Sequence, residues 1–201
     1  MVGESNITYR SFGAPGAPRL VVLVAVGITM AVDPLPPVTS SRDIRVLAVG
    51  LEGSAVDDPG AHGGETPSEA TAARLAERVR EELDDPVATA GLVAYRAAGD
   101  VALRAVVLLD DSIDRLVLAA VPAPGTPLDR EELGRTIQSI TAKTLIVNGQ
   151  RDPDAAAAEA RWYKKHIPSS RIEMVPGDGP LALTDVWDRA LSHTAPGAKR
   201  G

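Results

Sequence analysis

The 201-residue sequence predicts an α/β fold: a doubly wound, mostly parallel sheet with helices on both faces. Two observations predict it. Short, continuous apolar runs recur along the chain, as strands buried on both faces require. Helical patterns separate these runs almost to the end, and such alternation builds parallel β-α units.

The elements follow in order. Leu20 to Val26 and Ile44 to Val49 are rich in Val and Leu and read as buried strands. Ser68 to Leu83 reads as a helix: Ser68 suits the N-cap, and Ala72, Leu75, Ala76, Val79 and Leu83 share one face. Ala90 to Tyr95 is a strand, Asp100 to Leu109 a helix, and Leu116 to Val121 a strand. Asp129 to Ile140 is a helix with acidic residues in its first turn, where the helix dipole favours them. Thr144 to Asn148, Asp154 to His166, Arg171 to Val175 and Thr184 to Ser192 continue as strand, helix, strand and helix. Trp162, Tyr163 and Trp187 lie on helices, where they fill gaps against the sheet. One domain over residues 1–201 is expected, with 1–5 and 194–201 frayed. Ligands of such sheets sit beyond the carboxyl ends of the strands, so the loops there are the places to search.

Composition narrows the function. The net charge is −6, and basic runs are no longer than the pairs Lys164-Lys165 and Lys199-Arg200, which argues against nucleic acid and anionic membranes as partners. There is no cysteine, so disulfides, thiolate metal sites and a cysteine nucleophile are excluded. The longest apolar run, Leu20 to Val32, is too short to span a bilayer. It starts late and no small-residue cleavage site follows, so a buried strand fits it better than a signal peptide. A cytoplasmic location is the expectation.

Val93 to Asp100 is the most informative stretch. A strand meets a tight turn of small residues, and a helix follows at once. That is the layout of a nucleophile elbow, in which a strained strand-to-helix turn exposes a serine. Together with other segments it makes the chain resemble an α/β-hydrolase from about Asn6 to His193. Asn6 to Arg10 with Gly13 resembles that family's second strand, and Leu20 to Val26 resembles the strand that runs into its oxyanion loop. Val49 to Ser54 is similar to the loop after its fourth strand, and Asp114 to Ala120 to its sixth strand. Leu145 to Pro153 is similar to the segment carrying the triad acid, and Val175 to Pro180 to the turn that ends in the catalytic histidine.

The departures from that pattern carry the functional expectation. The resemblance puts Arg96 at the serine position and Pro180 at the histidine position. Arginine stays protonated and is no nucleophile, and proline has no side-chain donor or acceptor. Asp152 stands where the triad acid stands. Val24-Ala25-Val26 or Val26-Gly27 replaces the His-Gly pair of the oxyanion loop, and only Pro122 to Lys143 lies where a helical lid is often inserted. A triad needs nucleophile, base and orienting acid, so classical hydrolysis is not expected. Among other candidates, Ser54 lies in a strand-exit loop and Ser112 at a helix end on the wrong side of the sheet. His166 and His193 close helices. His62 lies in a Gly-rich loop at the ligand end.

Three arrangements are open for Arg96: an ion pair with Asp152 that plugs the pocket, a site for a ligand anion at a helix start, and an outward-turned side chain. Asp152 is the candidate catalytic residue, a general base if an apolar pocket raises its pKa, because Asp154 is better placed to cap the next helix. The candidate binding residues are Arg96, Tyr95, Ala97, Val26, Gly27 and His62. No metal and no cofactor is expected. The ligand expected is a small molecule or peptide with an acidic group, and a homodimer stays open. The favoured reading is a triad-deficient member, nearest in spirit to non-hydrolytic members of the bottromycin epimerase type. It would bind its ligand and catalyse isomerisation, epimerisation, cyclisation or elimination in natural-product biosynthesis. A non-catalytic scaffold and an esterase or thioesterase with an unorthodox triad are the alternatives.

Overall fold

The computed structural model describes residues 7–27, 32–52, 67–83, 85 and 87–198. Seven strands form one sheet: β1 (Ile7–Gly13), β2 (Arg19–Val26), β3 (Ile44–Leu51), β4 (Ala90–Tyr95), β5 (Ile113–Ala119), β6 (Lys143–Gly149) and β7 (Ser170–Val175). Their order is β1-β3-β2-β4-β5-β6-β7, and only β1 runs antiparallel to its neighbour. The helices are α1 (Pro36–Ser40), α2 (Pro67–Glu82), α3 (Gly99–Leu109), α4 (Pro127–Thr136), α5 (Ala157–His166) and α6 (Leu183–Thr194).

The unbroken apolar runs are explained by burial on both faces. Leu20, Val22 and Val24 of β2 pack with α2, α3 and α5 on one side, while Val21 and Leu23 pack with α6 on the other. Strand alternation sends consecutive side chains of β2 to opposite cores, so both sets are apolar. Trp187 is fully buried, and its indole N–H donates to Thr39 Oγ1 at 2.9 Å. Tyr163 is buried as well, its hydroxyl donating to the carbonyl of Pro122 at 2.8 Å. Both aromatic residues fill helix–sheet space, as expected. No helix among the described residues is long and apolar enough to cross a membrane.

Several boundaries differ from the sequence reading. The segment after β2 is not all loop: Pro36 starts the five-residue α1, and the Asp33 carboxylate organises it by accepting from Leu35 N–H and Thr39 Oγ1. β5 begins three residues earlier than expected and stops at Ala119, because Ala120 takes a left-handed φ of 51° and turns the chain out of the sheet. α4 starts at Pro127 with Thr126 as its cap and tightens into a 3-10 turn at Ile137–Ser139. The expected fraying from Thr194 is corrected. Thr194 and Ala195 are buried, and the carbonyl of Ala198 accepts from Asp43 N–H at 2.7 Å. Residues 1–5, and 199–201 of the tail, lie outside the described residues.

The strand order positions the site. The chain leaves β2 toward one edge, through α1 to β3, and returns through α2 to β4 on the other side of β2. The carboxyl ends of β2 and β4 therefore flank the switch point, where an open α/β sheet forms its crevice.

Candidate functional site

The turn out of β4 is a single 3-10 turn, Arg96–Ala98, leading straight into α3. Tyr95 is still extended, with φ −120° and ψ 125°, and Arg96 then adopts a φ of 51°. A left-handed conformation costs a non-glycine residue about 1 kcal/mol or more, so this apex is strained. It lets the chain reverse into α3 within one residue. Gly99 completes the turn: a Cβ there would collide with Val121, just beyond β5. Ala120, likewise left-handed, leaves the neighbouring strand at the same level, since Tyr95 pairs with Ala119. A third left-handed residue, Asp110, closes α3 at the opposite end of the sheet, so two of the three flank the carboxyl ends of β4 and β5.

Arg96 does not point away. Its Nε donates to the Tyr95 hydroxyl oxygen at 3.0 Å. Its Nη2 donates to the Leu181 carbonyl at 3.2 Å and to Asp152 Oδ2 at 3.3 Å. Nη1 lies 3.6 Å from Asp154 Oδ2, and the guanidinium carbon sits 5.4 Å from the Tyr95 ring centre, within cation–π range. Of the three arrangements left open by the sequence, the ion pair with Asp152 is the one present. Burial works against the Arg96 charge, but Tyr95, Asp152 and Asp154 outweigh it and raise its hold on the proton.

Asp152 lies beyond β6 with its side chain completely buried. Its Oδ1 accepts from the backbone N–H of Asp154 at 3.0 Å and of Ala155 at 3.2 Å. Its Oδ2 accepts from Leu181 N–H at 2.8 Å besides Arg96. Burial pushes the carboxyl pKa up, yet the three N–H groups and Arg96 together hold it below its ordinary value. The raised pKa that a general base would need is therefore corrected to a lowered one, because the Leu181, Asp154 and Ala155 N–H groups and Arg96 favour the carboxylate more than burial disfavours it. The capping expectation is corrected as well. Asp152 organises the turn, whereas Asp154 is exposed, and α5 begins only at Ala157. A carboxylate that bonds the N–H groups two and three residues on competes with helix formation, which delays the helix.

The remaining expectations divide. Tyr95 is half-buried and donates its hydroxyl to the Leu181 carbonyl at 2.9 Å. Ala97 is exposed on the turn, and Val26 and Gly27 are half-buried at the end of β2. Gly27 has a φ of 97°, and its N–H donates to the Leu51 carbonyl at 2.7 Å, so that amide is already committed to the sheet. Ser54 and His62 lie outside the described residues. His166 and His193 are half-buried at the ends of α5 and α6, bonded to the carbonyls of Trp162 and Lys143. Ser112 lies in a 3-10 turn before β5, at the far end of the strands. Among the described residues no cluster of His, Cys, Asp and Glu has the shape of a metal site.

Leu181 is the member that the sequence did not reveal. Its N–H grips Asp152, and its carbonyl accepts from both Tyr95 and Arg96. An apolar side chain gives no hint of such a role, because the backbone does the bonding. The only related signal is Pro180 just before it, which restricts the approach of the chain.

A seven-stranded, mostly parallel sheet in this order, with helices on both faces, is the α/β-hydrolase fold. Solved structures bear this out. The chain is similar to a predicted CIB-like hydrolase from Thermoplasma acidophilum, at 21% identity and a TM-score of 0.64, over 94% of this chain and 91% of that one. It is similar to a Paleococcus ferrophilus monoacylglycerol lipase, at 14% identity and a TM-score of 0.67, over 92% and 96%. It is also similar to the thioesterase domain from the curacin biosynthetic pathway, at 16% identity and a TM-score of 0.67, over 96% and 95%. These identities speak for the fold alone. No protein-family model matches the sequence, and no curated protein matches it.

Proposed function

We propose that this protein keeps the hydrolase fold without Ser-His-Asp hydrolysis, and binds a small or peptidic ligand at the switch point between β2 and β4. In this reading Arg96 meets an acidic group of the ligand and Asp152 holds Arg96 in place. The observation that carries it is Arg96 at the strained apex, with its guanidinium on a buried, ionised carboxylate. Asp152 already accepts three backbone N–H groups besides Arg96, which favours a positioning role over proton abstraction. Arg96 touches Asp152 through Nη2 alone, so its Nη1, 3.6 Å from the exposed Asp154, can turn to a ligand carboxylate while Asp152 keeps its hold. Any tailoring step in natural-product biosynthesis, such as epimerisation or cyclisation, would then rely on positioning and on groups of the ligand itself.

The test begins with native mass spectrometry of the purified protein for a retained small molecule. Short acidic peptides and dicarboxylates are then titrated against wild type and Arg96→Ala by calorimetry. Weaker binding by at least about tenfold in the variant is expected, the loss of one charge-assisted pair. Equal affinity sinks the role of Arg96.

A second reading, an esterase or thioesterase with an unorthodox triad, is favoured by the fold likeness to a lipase and a thioesterase domain. Turnover of a generic aryl ester, abolished in Asp152→Asn or His62→Ala, would establish it in place of the first.

A further inference from the structure

β7 ends the sheet, and among the described residues no strand lies beyond it. Thr144 N–H donates to the Ser169 carbonyl at 3.0 Å, and Gln150 N–H donates to the Val175 carbonyl at 2.9 Å. In a parallel strand both backbone groups of a residue point the same way and alternate along the chain. The odd-numbered residues of β7 therefore bond to β6, and Ser170, Ile172 and Met174 turn their N–H and C=O groups outward. The Lys164 ammonium takes the Ser170 carbonyl. Ile172 and Met174 lie with their side chains against the α5 core, whereas Glu173 faces α6 and pairs with Arg189 at 3.1 Å. Alternation puts Arg171 on that same α6 side.

We propose that this edge pairs antiparallel with β7 of a second copy of the chain, about a two-fold axis at Ile172. With Ile172 opposite its own symmetry mate, each Ile172 exchanges both backbone hydrogen bonds with the other. Arg171 of each copy then stands opposite Glu173 of the other. These are non-hydrogen-bonded positions, where facing side chains come closest and opposite charges stabilise most. Centring the axis on Arg171 or Glu173 would put like charges face to face. Charges at a sheet edge commonly prevent pairing. A guard works against itself, however, when it reads plus-apolar-minus about a centre, because that order is complementary to its own reverse. The result would be one continuous sheet of two copies, with isologous contacts. It does not depend on what the site at the carboxyl end binds.

Analytical ultracentrifugation of the full chain over a range of concentrations, at low and high salt, tests it. Wild type is expected to dimerise more weakly at high salt. Arg171→Glu and Glu173→Arg are each expected to raise the dissociation constant about tenfold or more, by facing like charges. The double exchange R171E/E173R is expected to restore it. Glu173→Arg also loses the pair with Arg189, so Arg171→Glu is the cleaner single variant. Ile172→Pro provides an independent arm: it removes an outward N–H only, which an edge strand tolerates, and it should abolish dimerisation while the circular dichroism spectrum stays native. A monomer at every concentration, or a dimer indifferent to Arg171→Glu and to Ile172→Pro, overturns the proposal.

Discussion

Two arginine–aspartate pairs sit at opposite ends of the sheet, and they are made differently. At the amino end Arg19 opens β2. Its Nη2 reaches Asp114 at 2.5 Å, its Nε and Nη2 reach the Thr194 carbonyl at 2.9 and 2.6 Å, and its Nη1 reaches Thr89 twice at 3.0 Å. Those contacts tie β2, the start of β4, β5 and the end of α6 together on unstrained backbone. At the carboxyl end Arg96 reaches its partners at 3.0 to 3.6 Å from a left-handed backbone. The first arrangement serves stability. The second combines a strained backbone with longer contacts, as the proposed ligand site would require.

The largest effect should come from the acceptor that organises the carboxyl end. Asp152→Leu strips three backbone N–H groups of their partner and leaves Arg96 without its buried counter-charge. A loss of about 3 kcal/mol in urea unfolding is expected. A loss under about 1 kcal/mol would show that water or other groups replace it readily. Arg19→Met comes next, at about 2 kcal/mol, because the α6 terminus and Asp114 lose a well-fitted donor. Arg96→Gly should stay within about 1 kcal/mol of wild type, since relief of the left-handed strain offsets the lost contacts. If Arg96→Gly costs as much as Arg19→Met, the two ends are not different in kind.

A smaller effect should appear on acidification. The folded pKa of Asp152 lies below its unfolded value of about 3.9, so its ionised form stabilises the fold above that pH. That contribution is lost as pH falls through the folded pKa. The stability gap between wild type and Asp152→Asn should therefore be constant near neutrality and narrow below about pH 4. The smallest effect concerns His193. Burial, ahead of the Lys143 hydrogen bond, lowers its pKa, so stability should decline as pH falls through its unfolded value of about 6.5. His193→Gln should flatten that decline.

The pairing of Arg96 with Asp152 was one of three arrangements the sequence left open, and only the resemblance that puts them at a serine and an acid position brought the two together. The parallel sheet was legible because burial on two faces writes unbroken apolar runs. The Arg19 cluster was not, because Arg19 meets Asp114 and Thr194 across 95 and 175 residues, and no local pattern connects them. α1 was hidden by its prolines, which read as loop until Asp33 is seen to fold the turn. The lowered pKa of Asp152 was hidden because its donors are backbone groups, which every sequence has and none displays.

Leu181 also bears on the order of folding. It fastens to Asp152 over 29 residues and to Tyr95 over 86, so its bonds close long loops. Long loops are costly to close before the chain between them is ordered. The corner thus belongs to the end of assembly, after β4, β5 and β6 lie side by side. The strain at Arg96 is then imposed on a sheet already able to bear it, and an amide proton at Leu181 should be among the last to gain protection in refolding.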